Sequence, residues 1–308
     1  MSAQLPQAFV ERMAARLKDE LPAFLRSYEE PYCRGIRFQP GKPVPPAAWP
    51  AGVGEQIPWE PAARYLAMES DAGTMVLHEA GGWYLQEPSA MAPVAALNPQ
   101  PGERVLDLCA APGGKSTQIA AHLGGKGLLV SNEPVPKRAA VLSRNLERMG
   151  VTNALAVSAY PDQLAAQWPA YFDAVLVDAP CSGEGMFRRH PETREEWSPE
   201  APAGCAKRQR EILAAAARLV RPGGRMVYST CTLNTMENEE NISWFLTEHS
   251  DFSVCPFQLP GVDGTAGMAT LFPHRVRGEG HFLALLVRQG EDVETCATPS
   301  GLPQADAV

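Results

Sequence analysis

The 308-residue chain is short of several things, and each shortage excludes a class of protein. No apolar run approaches the roughly 18 residues that cross a bilayer. The opening MSAQLPQAFVERMAARL lacks the basic-then-apolar pattern of a secretory leader, so a cytoplasmic protein with no membrane partner is expected. Positive charge is scarce: 27 Lys and Arg face 35 Asp and Glu, a net charge of −8. Binding to nucleic acid by bulk charge is thereby excluded, and any such contact needs a local basic patch. The seven cysteines (Cys33, Cys109, Cys181, Cys205, Cys231, Cys255, Cys296) are odd in number and contain no CxxC pair. That argues against a disulfide framework and a zinc clamp. Histidines show no ligand spacing, and no metal site is expected.

What is present is enough for a folded core: 45% of residues are hydrophobic and 20% charged. The length allows two domains. Residues 5–30 carry a helical apolar pattern (Phe9, Met13, Leu17, Leu21, Phe24, Leu25) interrupted at Pro22. Prolines, glycines and short apolar pieces (GIRF, TMVLHEA, GWYLQEP) then run to Leu97, suggesting a small N-terminal α+β domain over 1–97. From 98 to 290, Val- and Leu-rich runs alternate with amphipathic stretches. Strands are predicted at 104–108, 127–132, 154–158, 172–178, 224–230 and 281–287, with helices near 115–124, 134–149, 207–221 and 236–249. This alternation implies an α/β, mostly parallel, doubly wound sheet with ligands beyond the carboxyl ends of its strands. A polar flexible tail is expected over 291–308.

The segment DLCAAPGGKST, Asp107 to Thr117, follows the first strand and opens a helix, where backbone N–H groups can hold a nucleotide. A Walker A reading would use Gly114, Lys115 and Ser116, but its first glycine would fall on Cys109; the dinucleotide pattern GxGxxG is absent too. What remains is a glycine turn (Gly113, Gly114) with a second acid, Glu133, after the next strand. An acid there can take both ribose hydroxyls of an adenosine-bearing cofactor. A P-loop-like ATPase stays as the competing reading, since GGKST and VLVDAP imitate the two Walker motifs.

Two further strands end in chemistry. LVDAPCSGEG puts Asp178 at a strand end and Cys181 beyond it; YSTCT puts Cys231 beyond the next strand. If the strands are neighbours, both thiols face one crevice, where cysteines act as nucleophiles or acid–base groups.

These three segments, Asp107–Thr117, Asp178–Cys181 and Ser229–Cys231, together resemble the NOP/SUN family of RNA cytosine-5 methyltransferases. The resemblance runs from about Leu5 to Arg288. Within the family, LPQAFVERM, HEAGGWYLQEPSAM, CSGEGMFRRHPE and PHRVRGEGHF are similar to the bacterial RsmF-like branch, which methylates small-subunit ribosomal RNA. The resemblance implies a class I (Rossmann-like) methyltransferase fold with S-adenosylmethionine as cofactor. Cys109, Ala110, Ala111, Pro112, Gly113, Gly114 and Lys115 would hold it, with Glu133 on its ribose and Asp178 between cofactor and base. It further implies Cys231 as nucleophile at carbon 6 of cytosine, Cys181 as the residue assisting release, and Asp178 hydrogen-bonded at N3. The partner would be ribosomal RNA or the small ribosomal subunit, with transfer RNA as the alternative and a monomer favoured. A noncatalytic RNA-binding assembly factor is the third reading; the intact cysteine pair stands against it. Where relatives carry an acid after the third strand for the adenine edge, this chain has Ser158-Ala159-Tyr160, with Asp162 beyond.

For RNA contact, residues 186–225 hold nine Lys and Arg against five Glu, the best local patch, in which Arg188 and Arg189 are the expected phosphate contacts. Arg34, Arg37 and Lys42 could form a second strip. Phe38, Trp49, Trp59, Trp83 and Tyr84 could stack bases or serve as core anchors.

Overall fold

The computed structural model describes residues 4–290; the expected tail lies outside the described residues. Helix α1 (Gln7–Leu17) turns one apolar face inward, burying Phe9, Met13 and Leu17 at the four-residue spacing of a helix stripe. It stops before Pro22, which sits instead in the first turn of α2 (Leu21–Ser27), where a missing N–H costs nothing. The small N-terminal sheet is antiparallel. Its strands β1 (Arg34–Phe38), β2 (Val53–Ile57), β3 (Glu60–Leu66) and β4 (Trp83–Leu85) lie in the order β2-β3-β1-β4. The TMVLHEA piece is a helical turn, α3 (Val76–Glu79). Helix α4 (Ala92–Leu97) buries Val94 and Leu97 against Val105, Leu176 and Val227 of the second sheet, so it roofs that sheet although the sequence places it before the boundary.

The second sheet is built from β5 (Arg104–Asp107), β6 (Leu128–Asn132), β7 (Ala154–Val157), β8 (Phe172–Asp178) and β9 (Val220–Thr230), all parallel. Their helices are α5 (Gly114–Leu123), α6 (Pro136–Arg148), α7 (Pro161–Gln167), α8 (Thr193–Glu196) and α9 (Ala201–Leu219). Then come α10 (Glu239–Glu248), the short strands β10 (Phe252–Val254), β11 (Phe257–Leu259), β12 (Val262–Gly264) and β13 (Met268–Leu271), and finally β14 (His281–Arg288). The order is β10-β14-β9-β8-β5-β6-β7, with β14 antiparallel to β9 and paired also with β13. All six strands expected from the sequence are present. Because β5 lies between β6 and β8, the order reverses there, and a crevice opens at the carboxyl ends of β5 and β8. Among the described residues no helix is long and apolar enough to cross a membrane, and no cluster of three or more His, Cys, Asp or Glu could hold a metal.

Candidate active site

The turn after β5 is shaped by glycine. Gly113 has φ +111°, and a Cβ there would sit 3.2 Å from Leu142 Cδ1; one on Gly114 would sit 3.3 Å from the Tyr84 ring. Asp107, at the strand end, faces inward, accepting the Ser116 hydroxyl at 2.6 Å while its Oδ1 has no partner. Burial pushes its carboxyl up to about 7, against the pull of Ser116.

Two clefts meet at this turn. The first, 520 Å³, is lined by Cys109, Glu133, Tyr160, Asp178, Cys181 and Cys231 among others. The second, 420 Å³, opens toward the N-terminal sheet between Tyr84, Glu87, Lys115, Arg189 and His190. Of the residues expected to hold the cofactor, Cys109, Ala111, Glu133 and Asp178 line the first cleft. Ala110, Pro112, Gly114 and Lys115 line the second, and Gly113 lines neither, acting through the turn it permits. The first cleft suits S-adenosylmethionine in size and donor set. Glu133, at 2% exposure, spends one oxygen on the Val135 amide (3.0 Å) and lies 3.3 Å from Arg138, which leaves lone pairs for ribose hydroxyls. Tyr160 is 68% exposed and Asp162 is paired with Arg218 at 2.5 Å, both at the cleft's mouth.

Asp178 ends β8 between two hydrogen-bond donors, Lys115 Nζ at 2.7 Å and the Ser229 hydroxyl at 2.8 Å, and His281 Nε2 lies 3.5 Å from it. Burial would raise its carboxyl, but Lys115 and His281 outweigh that and hold it well below the usual carboxylate range. An ionised carboxylate accepts hydrogen bonds. A bond at N3, as expected from the sequence, then has its proton on the ring, and Asp178 can accept from a protonated N3 or from the 4-amino group. His281 was invisible to spacing arguments; its one signal is a polar residue opening the apolar run HFLALLV. Burial and Lys115 push its imidazole down, against the pull of Asp178.

Adjacent parallel strands β8 and β9 deliver the two cysteines to one place, with Cys181 Sγ 3.3 Å from Cys231 Sγ. The contact to Cys231, then burial, then the nearby Glu237 push the Cys181 thiol well up. The two sulfurs share this contact, in which either thiol can be the donor.

The RNA patch is smaller than the sequence count suggests. Arg188 is withdrawn from it: its guanidinium is buried, paired with Glu279 at 2.6 Å and donating to the carbonyls of Ser27 (2.8 Å) and Gly278 (2.9 Å). Arg218, Arg221 and Arg225 are paired with Asp162, Asp173 and Glu103, and Arg210 donates to Asn241. Lys207 and Arg208 remain exposed, and Arg189 lies half-buried over the Tyr32 ring at 5.6 Å. Arg37 is 1% exposed, while Arg34 and Lys42 donate to backbone carbonyls, so that strip does not form. Trp59 and Trp83 are core anchors whose indole N–H groups bond Pro88 and Ala72, and Phe38 stacks on Trp49 at 4.6 Å.

Comparison with known proteins agrees with this architecture. The family described as 16S rRNA methyltransferase RsmB/F matches residues 94–287, and the N-terminal domain of 16S rRNA methyltransferase RsmF matches residues 5–88. A ribosomal RNA small subunit methyltransferase F from Klebsiella pneumoniae is 38% identical over 304 residues, covering 91% of this chain and 63% of that protein. The chain thus spans a little under two thirds of the length of that relative. Two solved structures from Pyrococcus horikoshii share the fold. A methyltransferase homolog has a TM-score of 0.79 at 24% identity, covering 92% of this chain and 95% of that one. NSun6 with SFG has a TM-score of 0.80 at 20% identity, covering 93% and 99%. With both of its parts matched in order and S-adenosylmethionine the cofactor of the fold, the chain belongs to the RsmB/F family of 16S rRNA methyltransferases.

Proposed function

We propose that this protein methylates carbon 5 of a cytosine in small-subunit ribosomal RNA, through a covalent adduct between Cys231 and carbon 6 of the base. The observation that carries the reading is the pair of thiols 3.3 Å apart at the ends of adjacent strands, on the wall of the cleft that Glu133 also lines. Glu133 and the turn from Cys109 to Lys115 would hold S-adenosylmethionine. When bound, it supplies an electrophilic methyl group.

Carbon 5 of cytosine is a poor nucleophile until a thiolate adds at carbon 6 and pushes electron density onto it. Cys231 supplies that thiolate, with the Cys181 thiol 3.3 Å away. Asp178, kept ionised by Lys115, accepts from the 4-amino group and from N3 once the ring takes up a proton there, which neutralises the charge that addition puts on the ring. Once carbon 5 carries the methyl group, its proton must leave. The electron pair of that C–H bond re-forms the ring double bond, the C–S bond breaks, and the sulfur of Cys231 recovers its electrons. Cys181 is the side chain beside that sulfur. It is thereby placed to assist this release. The cytosine must leave its stack to reach Cys231, so the target is an unpaired or flipped nucleotide.

Labelled methyl transfer to unmodified small subunits, free ribosomal RNA and transfer RNA, with the product nucleoside identified, tests the reading. Label as 5-methylcytosine in a ribosomal pool is expected. Label only in transfer RNA would overturn the substrate, and label on another atom would overturn the chemistry.

A further inference from the structure

Two carboxylates at 0% exposure, Glu184 and Glu237, sit behind the thiols with no part in the steps above. Each reaches across to the other cysteine's loop. Glu184, three residues after Cys181, accepts the amide of Leu233 at 3.2 Å. Glu237, six residues after Cys231, accepts the amide of Ser182 at 3.0 Å, and also takes the Ser182 hydroxyl, Asn234 Nδ2 at 2.7 Å and Gln209 Nε2 at 2.8 Å. Between the two ties the Gly185 amide donates to the Cys231 carbonyl at 2.9 Å. The N-terminal helix closes the arrangement. Arg12 reaches Glu184 at 2.5 Å, and Arg16 donates to the Leu233 carbonyl at 2.9 Å while pairing with Glu239.

Burying two carboxylates is costly, and apolar side chains would fill the same space without that cost. What carboxylates add is direction: each fixes a backbone N–H within two residues of a reactive cysteine. We propose that Glu184 and Glu237 are positioning residues, a reciprocal clasp anchored by Arg12 and Arg16 of α1 that sets the separation of the two thiols. The inference rests on the cysteine roles proposed above. It also gives the N-terminal helix a task in catalysis, since α1 holds both cysteine loops directly.

The clasp is tested first without RNA. Diamide, which removes two hydrogens from a thiol pair, is expected to link Cys181 to Cys231 quickly in the wild-type protein, as read by peptide mapping. In Glu237→Ala and Arg12→Ala the linkage slows by about tenfold or more, a misplacement of order 1 Å being enough for such losses. With substrate RNA the same variants lose kcat to a similar extent, keep KM for S-adenosylmethionine within about twofold, and accumulate the covalent adduct because Cys181 is displaced from it. Glu237→Gln, which keeps one accepting oxygen, recovers part of the rate. Should Glu237→Ala not fold, Arg12→Ala carries the test from the half-buried side. Unchanged diamide linkage in folded variants overturns the clasp, as does a loss of kcat with no adduct. A wild-type protein inactive on every RNA, with linkage slowed in the variants, would overturn the proposed function and leave the clasp standing.

Discussion

At the scale of single residues, the two cysteines make opposite predictions. Cys231→Ser removes the proposed nucleophile, so turnover and the denaturation-resistant protein–RNA band should both disappear. Cys181→Ala leaves addition intact but removes the group beside the adduct sulfur, so a shifted band accumulates on a denaturing gel while turnover collapses. Normal turnover in the first variant, or no band in the second, would reverse the assignments. Asp107 offers a prediction about stability. Its carboxyl titrates near 7 in the folded chain because it is buried with one oxygen unpartnered. The folded state therefore binds the proton more tightly than the unfolded one. The contribution of Asp107 to stability falls as pH rises from about 4 to about 7 and is flat above that. Asp107→Asn keeps an acceptor for Ser116 and has nothing to ionise. It should match wild type below about pH 4 and exceed it at pH 8 by at most about 4 kcal/mol, measured by urea unfolding at both pH values.

At the scale of elements, the proposed active site is two strand-to-loop transitions held at one distance, and Gly185 shows how little room there is between them. A Cβ on Gly185 would lie 2.5 Å from the Gly280 carbonyl and 2.9 Å from that of Cys231. Gly185→Ala must push the two loops apart. A loss of about 1–3 kcal/mol in stability and a fall in kcat larger than any change in cofactor affinity are expected, by denaturant titration and steady-state kinetics. The strands that carry these loops were legible because a parallel strand buried on both faces reads as an unbroken Val/Leu run, as FDAVLVD does. The thiols and Glu133 were legible because each follows such a run. Glu184, Glu237 and His281 were not: their work is across loops distant in sequence, and a lone acid or histidine in a sequence carries no mark of its partner. The start of α9 at Ala201 escaped as well, since Pro202 reads as a breaker although it occupies a first turn that tolerates it.

At the scale of the whole molecule, charge decides how RNA can be held. The sequence offers nine cations in one stretch, but folding spends most of them on Glu103, Asp162, Asp173, Glu279 and backbone carbonyls. Among the cations of that stretch, Lys207, Arg208 and Arg189 are placed to meet phosphates: Arg208 on the wall of the cysteine cleft, Lys207 next to it, and Arg189 on the wall of the second cleft. A net charge of −8 gives the rest of the surface little attraction for a polyanion. RNA affinity should accordingly depend on salt only through these few contacts, with a slope of log K against log salt of roughly −2, since each phosphate neutralised on a single strand contributes about −0.7. Replacing Lys207 and Arg208 together by alanine should bring the slope to about −0.7 and weaken all RNA sequences alike, measured by fluorescence anisotropy from 50 to 200 mM salt. A slope unchanged in that double variant would place the phosphate track elsewhere, and Arg189→Ala then separates the second cleft from the first. Loss of methyl transfer without loss of affinity in Arg189→Ala would mean that the second cleft orients the target nucleotide rather than holding the strand.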